Sequence, residues 1–212
     1  MGWTFYNSSG EAMIEDGAMS IANNTNNRVV TATGADPASL NGEANLTFDG
    51  TTLTIAGQVA FPASQSASAG ANVLDDYEEG TWTPQIGDNS LDGSGESQAY
   101  DRQAGQYVKI GNWVHFEGSV RITSLGSLTT SQQARIMGLP FTSANTSFHV
   151  GVCPIRADAV AITTEASVLG LQQPNTAYIE VYEINGTAGG SGLTIAELQA
   201  NGFLYVSGSY HV

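Results

Sequence analysis

Positive charge is scarce in this sequence of 212 residues. Six Lys and Arg residues stand against twenty Asp and Glu residues, which gives a formal net charge of −14 at pH 7. DNA, RNA and anionic membranes are bound through clusters of Lys and Arg that neutralise phosphates. The cations of this chain are instead scattered singly, at Arg28, Arg102, Lys109, Arg121, Arg135 and Arg156. The sequence therefore argues against a nucleic-acid partner and against binding to a membrane surface.

Cysteine and long apolar runs are scarce as well. The single Cys153 excludes an internal disulfide, and therefore a disulfide-stabilised secreted scaffold. We expect it to be a small buried side chain, because no basic neighbour in the sequence favours a reactive thiolate. Residues 1–7 carry no basic residue and no apolar core of an export signal, and no stretch approaches the roughly 20 apolar residues of a membrane-spanning helix. We expect synthesis in a cytoplasm and no membrane insertion.

Charged residues make up only 12% of the chain, against roughly 25% in an average globular domain. Glycine is abundant, with 25 residues, and the large aliphatic residues occur in short bursts. This composition is typical of an all-β protein that is rich in turns.

The clearest strand pattern lies in residues 107–122. A Gly111-Asn112 turn is followed by a segment in which apolar residues alternate with polar ones, as in a strand with one buried face. The apolar positions are Val114, Phe116, Val120 and Ile122. Further strands are predicted at 81–86, 148–155, 167–171, 177–184 and 203–210, and one helix at 194–198, which opens with capping-box spacing. These elements predict a C-terminal β-sandwich, jelly-roll-like, in residues 73–212.

Residues 1–72 hold too few large apolar side chains to fill a core. We predict an N-terminal anchoring segment at 1–20 and an extended, hairpin-containing segment and linker at 21–72. The hairpin runs from Leu46 to Ile55 around an Asp-Gly turn. Because an isolated two-stranded hairpin is marginal in water, we expect identical copies to pack around a threefold axis.

No motif of known catalytic chemistry is recognisable, so we predict no catalytic residue, no enzyme activity and no cofactor. The acidic run at 75–79 is predicted to be a solvated segment leading into a strand, with a cation or partner contact as the alternative. A second acidic segment begins like a calcium loop, with candidate ligands Asp88, Ser90 and Asp92, but its twelfth position is Ala99, where a bidentate Glu belongs. It is either an ordinary turn or a weak calcium site.

Four motifs in the same order resemble the C-terminal domains of tail-fibre-like virion proteins of tailed bacteriophages. They are NVLDDYEEGTWTP at 72–84, GQYVKIGN at 105–112, GLPF at 138–141 and FLYVSGSY at 203–210. Residues 27–34 and 40–50 are similar to a segment that recurs in fibre proteins of marine and freshwater phages. The resemblance implies a non-enzymatic, trimeric structural protein with a β-rich distal knob, located on the virion exterior after synthesis in the host cytoplasm.

Two roles fit that resemblance. In a fibre or knob, the N-terminal aromatic residues would anchor the chain to other virion proteins and exposed aromatic residues near turns would contact a host surface glycan or protein. The anchoring residues are Trp3, Phe5 and Tyr6, and the recognition residues are Trp113, Tyr178, Tyr182 and Tyr210. The alternative is a trimeric capsid decoration (cement) protein that stabilises the phage head. The lack of heptads in residues 1–72, where a fibre shaft is expected, favours that alternative.

Overall fold

Strands dominate the described backbone, and the alternating patterns of the sequence account for most of them. The computed structural model describes residues 5–6, 12–14, 21–22, 28–32, 40–61, 74, 76–89, 95–146, 150–162, 166–185 and 189–212. The chain divides into two compact units, Met1–Ala60 and Phe61–Val212. The predicted boundary at residue 73 lies outside the described residues, so the division into three segments stays a prediction.

The first unit is built from short strands. These are β1 (Phe5–Tyr6), β2 (Ala12–Ile14), β3 (Ile21–Ala22), β4 (Arg28–Ala32), β5 (Leu40–Phe48) and β6 (Leu53–Ile55). Strands β1 and β2 pair with each other, while β5 lies between β3 and β4 and also pairs with β6.

The predicted hairpin is confirmed in the pairing of β5 with β6. Leu46 lies opposite Ile55 in an antiparallel register. The Asp49 carboxylate accepts hydrogen bonds from the backbone N–H groups of Thr51 and Thr52, which closes the turn. Gly50 has a φ of +95°, a conformation that glycine adopts without strain.

The first unit has almost no buried core within the single chain. Among its residues whose burial is described, only Gly42 is buried. The apolar stripe of the hairpin stays exposed, with Phe48 at 50% and Leu53 at 56% of full accessibility. An apolar stripe of this kind gains stability only when another surface covers it.

The second unit is a ten-stranded antiparallel sheet in the order β7-β9-β10-β16-β12-β13-β14-β11-β8, with β15 paired to β14. The strands are β7 (Tyr77–Trp82), β8 (Gln85–Gly87), β9 (Ala99–Ile110), β10 (Trp113–Ser124), β11 (Arg135–Met137), β12 (Gly151–Asp158), β13 (Ser167–Gln172), β14 (Tyr178–Asn185), β15 (Gly189–Gly192) and β16 (Phe203–His211). The all-β class is confirmed. The residues of β12 up to Pro154 pair with β13 and those from Ile155 pair with β16, so one strand joins the two halves of the sheet.

The sheet curls back on itself, because the strands at its two ends, β7 and β8, are neighbours in the chain. Side chains of Tyr100 in β9 and of Gln98, which directly precedes β9, bridge the gap. The Tyr100 hydroxyl accepts a hydrogen bond from the Ile86 N–H (2.9 Å) and donates one to the Ile86 carbonyl (3.2 Å). The Gln98 amide donates to the same carbonyl at 3.1 Å. The backbone N–H and carbonyl of Ile86, in the middle of β8, thereby gain hydrogen-bond partners without a further strand.

The core lies inside this curl. All four apolar positions predicted for β10 are buried, together with residues of the opposite half such as Ile136 and Ile179. Trp82 packs edge-on against Phe116, with 5.9 Å between ring centroids. Its indole lies on two glycines: a Cβ added at Gly105 or Gly118 would come within 2.3 or 2.6 Å of the ring. Only glycine leaves room for this tryptophan.

Two smaller predictions are also confirmed. Cys153 is fully buried, and burial raises the pKa of its thiol to about 12. Helix α1 (Ile195–Leu198) is capped by Thr194, whose hydroxyl accepts from the Glu197 N–H while the Glu197 carboxylate accepts from the Thr194 N–H. No helix in the described part of the chain is both long enough and apolar enough to cross a membrane.

Candidate functional site

The outer face of β9, β10, β16 and β12 carries half of the chain's cations. Strand register aligns the outward-facing residues in rows across the sheet. The first row is Arg102, Arg121, Phe203 and Asp158, and the second row is Ala104, Ser119, Tyr205 and Arg156. Three of six cations thus lie in two adjacent rows. We call this surface the arginine face.

An open groove of about 690 Å³ crosses the arginine face. This volume lies in the range of pockets that bind small ligands, roughly 300–1,000 Å³. Besides residues of the two rows, its lining includes the polar side chains of Thr81, Gln106, Glu117 and Ser207. The groove therefore offers hydroxyl, amide, carboxylate and guanidinium groups within one concave surface.

Arg102 differs from the other cations of the second unit. Its Nε donates to the hydroxyl of Ser119 at 3.0 Å, which orients the guanidinium, and no carboxylate among the described residues lies within ion-pair distance of it. The other four are paired, as Lys109–Asp76, Arg121–Asp101, Arg135–Glu180 and Arg156–Asp158. The terminal nitrogens of Arg102 therefore form no ion pair with a carboxylate of the described residues.

An aromatic surface lies beside these arginines. The ring centroids of Tyr205 and Phe203 are 4.2 Å apart. The guanidinium carbon of Arg156 lies 5.3 Å from the Tyr205 ring centroid. The second of these is a cation–π contact. Tyr205 is directly opposite Ser119, so its ring is one strand away from the group that holds Arg102.

The predicted recognition residues do not come together. Trp113 is 45% exposed and packs edge-on against His211, at 4.5 Å between centroids. Tyr178 and Tyr182 lie on β14, in the other half of the sheet, where the Tyr178 ring stacks under the guanidinium of Arg135 at 4.3 Å. The recognition role of these three residues stays a prediction.

Tyr210 requires a correction. Its side chain is only 3% exposed, so it is a core residue and not a surface residue. Its hydroxyl accepts from the Phe141 N–H at 3.3 Å and donates to the Phe141 carbonyl at 3.0 Å. Burial raises the pKa of this phenol. The even position of Tyr210 on β16 places it on the same inward face as Val206.

The remaining predicted sites fall partly outside the described residues. Phe5 and Tyr6 form β1, whereas Trp3 is not described, so the anchoring role stays a prediction. Of the calcium candidates, Ser90 and Asp92 are not described. Asp88 is fully buried, and its carboxylate accepts from the Thr129 N–H at 2.6 Å. No group of three or more metal-ligating His, Cys, Asp or Glu side chains occurs in the part of the chain that the structure describes.

The acidic run is solvated only in part: Glu79 is exposed as the sequence indicates, but other carboxylates of the run have partners. Asp76 is buried and pairs with the buried Lys109. The Tyr107 hydroxyl donates to the Glu78 carboxylate, and this hydrogen bond is the main reason that the pKa of Tyr107 rises to about 12. The carboxylates of Asp76 and Glu78 therefore hold this segment against β9.

Comparison with protein-family models finds no match, and comparison with curated protein sequences finds none either. Among solved structures, the crystal structure of the Dettilon tailspike protein (gp208) is similar, with a TM-score of 0.51 and 18% sequence identity. The similarity covers 64% of this chain and 24% of the tailspike chain. Because 64% of the chain exceeds the length of the first unit, it extends into residues 61–212. At this identity the likeness shows a shared fold, and the chain spans about a quarter of the tailspike.

Proposed function

We propose that the chain is a structural protein of a tailed-phage virion, a trimeric fibre or knob that contacts the host surface. The fold likeness to a phage tailspike carries this proposal. It is supported independently by the four motifs of residues 72–210, which resemble tail-fibre-like virion proteins.

The first unit supports assembly into trimers. Its hairpin exposes Phe48, Leu53 and Ile55 in the single chain, and its described residues bury almost nothing. Three copies around one axis would cover each other's stripe and supply the core that one copy lacks. The net charge of −14 keeps such a protein soluble at high copy number.

Light scattering on the purified full-length chain tests the assembly. We expect a particle of about three times 22.1 kDa. Leu53→Asp places a charge on the apolar stripe and should reduce the mass to that of a monomer. Thr54→Asp is the matched control, because the neighbouring residue of a strand faces the opposite side, and it should leave the trimer intact. A monomeric parent chain contradicts the trimer.

Immunogold electron microscopy of the virions that carry the chain tests its location. Labelling at the tail supports the fibre or knob, and competition between purified chain and virions for host cells supports attachment. Dense labelling over the head, with hundreds of copies per virion, would instead assign the chain to capsid decoration. Unlabelled virions would refute both roles.

The proposal gives the chain a binding role without catalysis. The same preparation, incubated with host surface polysaccharide, should release no reducing sugar. Release that disappears on substitution of a single carboxylate would overturn the non-enzymatic part of the proposal.

A further inference from the structure

We propose that the groove on the arginine face binds an acidic saccharide, a glycan containing uronic acid, whose carboxylate is held by Arg102 and whose sugar ring stacks on Tyr205. This inference rests on the proposed attachment function and names the ligand class and the site for it.

The carboxylate preference follows from Arg102. A guanidinium presents parallel N–H donors that match the two oxygens of a carboxylate. In Arg102 the Nε is already bonded to Ser119, so the side chain is oriented before a ligand arrives and less entropy is lost on binding. In a chain of net charge −14, an exposed arginine with no ion pair to a described residue is an unusual feature, and it lies inside the groove.

The saccharide preference follows from the other lining groups. Tyr205 is 37% exposed and lines the groove, and Thr81, Gln106 and Ser207 offer hydroxyl and amide groups that can bond to sugar hydroxyls. A protein partner is usually held by a large side chain in a desolvated apolar pocket. The lining here holds no aliphatic residue larger than valine, and eight of its thirteen residues carry polar or charged side chains.

The groove is also long enough for more than one sugar. Its lining residues come from five strands, β7, β9, β10, β16 and β12. Four steps between neighbouring strands, at about 4.8 Å each, span about 19 Å. Arg156 lies near one end, with its charge shared with Asp158, and adds a second guanidinium beside the aromatic surface.

Calorimetry on the full-length chain tests the site. The probes are tetrasaccharides of galacturonate, glucuronate and mannuronate, each paired with its methyl ester, which removes the charge and keeps the sugar. We expect at least one acid to bind tenfold or more tightly than its ester, with affinity falling as salt is added. Arg102→Gln and Tyr205→Leu should each weaken that binding about tenfold or more.

Arg121→Gln is the matched control. Arg121 lies directly opposite Arg102 but does not line the groove, and its charge is already paired with Asp101, so its loss should weaken binding far less than the loss of Arg102. Thermal melting of every variant separates a lost contact from a lost fold.

The proposal is overturned if no acid of the panel binds, if acid and ester bind equally, or if Arg121→Gln weakens binding as much as Arg102→Gln. Tighter binding of a polyglutamate peptide than of any saccharide would also overturn it and favour a protein partner. If the virions are labelled and host cells are bound while the panel fails, only the groove assignment fails. If the saccharides bind but the virions carry no copy, only the proposed function fails.

Discussion

The single lysine of the chain is buried, and its removal is expected to be among the most damaging changes to the second unit. Lys109 is 3% exposed and Asp76 is 8% exposed, and their side chains form an ion pair. Lys109→Met keeps the length and volume of the side chain but removes the charge. The Asp76 carboxylate is then left buried without its cation. Breaking one partner of a buried pair costs about 3–5 kcal/mol.

Thermal unfolding monitored by circular dichroism measures this cost. For a unit of 150–250 residues, 1 kcal/mol lowers Tm by about 2–4 °C. The expected loss for Lys109→Met is therefore about 6–20 °C. The double variant Lys109→Met with Asp76→Leu removes both charges, and replacing a buried pair by apolar residues is often neutral, so much of the stability should return.

Arg121→Met is the control for this experiment. Arg121 and Asp101 form an ion pair at 3.1 Å, but both side chains are nearly half exposed, and pairs in contact with solvent contribute about 0–1 kcal/mol. The reasoning is refuted if Lys109→Met costs no more than Arg121→Met, or if the double variant is as unstable as the two single changes added together. Either result would mean that the stability of the buried Asp76 does not depend on Lys109.

Three further changes have defined outcomes. Gly118→Ala places a Cβ 2.6 Å from the Trp82 ring and should cost about 1–3 kcal/mol in urea unfolding, whereas Gly57→Ala, which meets no atom within 4 Å, should leave the unfolding curve unchanged. The Cys153 thiol, with its pKa raised to about 12 by burial, should resist a disulfide reagent in the native protein and react fully in guanidinium chloride; fast native labelling would contradict its burial. Folding raises the pKa of Tyr107 from 10.0 to about 12. Between these two values the unfolded chain loses the phenol proton while the folded chain keeps it, so the free energy of unfolding should fall as the pH rises through that interval. Tyr107→Phe should flatten this alkaline decline, and an unchanged pH profile would contradict the assignment.

The sequence predicted those parts of the fold that depend on neighbouring residues. The hairpin at Asp49, the turn at Gly111 and the capped helix after Thr194 are each specified within a few positions, and all three are confirmed. Alternation of apolar and polar residues likewise predicted which face of β10 is buried. This property depends on the residues of a single strand, so it can be predicted without knowing the partner strands.

Features that depend on distant pairing were missed. Strands β11 and β15 span three and four residues, too few for alternation to be visible. They are strands because of their partners: β14 pairs with both, and β8 also pairs with β11. The predicted strand at 81–86 is divided into β7 and β8, with Pro84, which has no N–H to donate, in the interval between them. The burial of Asp76 depends on Lys109, which is 33 residues away, so the acidic run looked like a solvated segment.

The sequence allows one half of the arginine face to be predicted, the half on β9 and β10. The two-residue turn at Gly111-Asn112 pairs Ile110 with Trp113, and counting eight residues outward along each strand brings Arg102 opposite Arg121. The positions of Tyr205 and Arg156 cannot be counted in this way, because β12 and β16 reach the same face through long connections. Side chains alternate between faces, so a slip of one residue in either ladder would turn one side of the groove into the core. The groove therefore exists only because the hairpin of β9 and β10, which is fixed locally, is in register with the distant strands β16 and β12. The positions of the cations along the sequence do not reveal this cluster, because it is formed by pairing between strands.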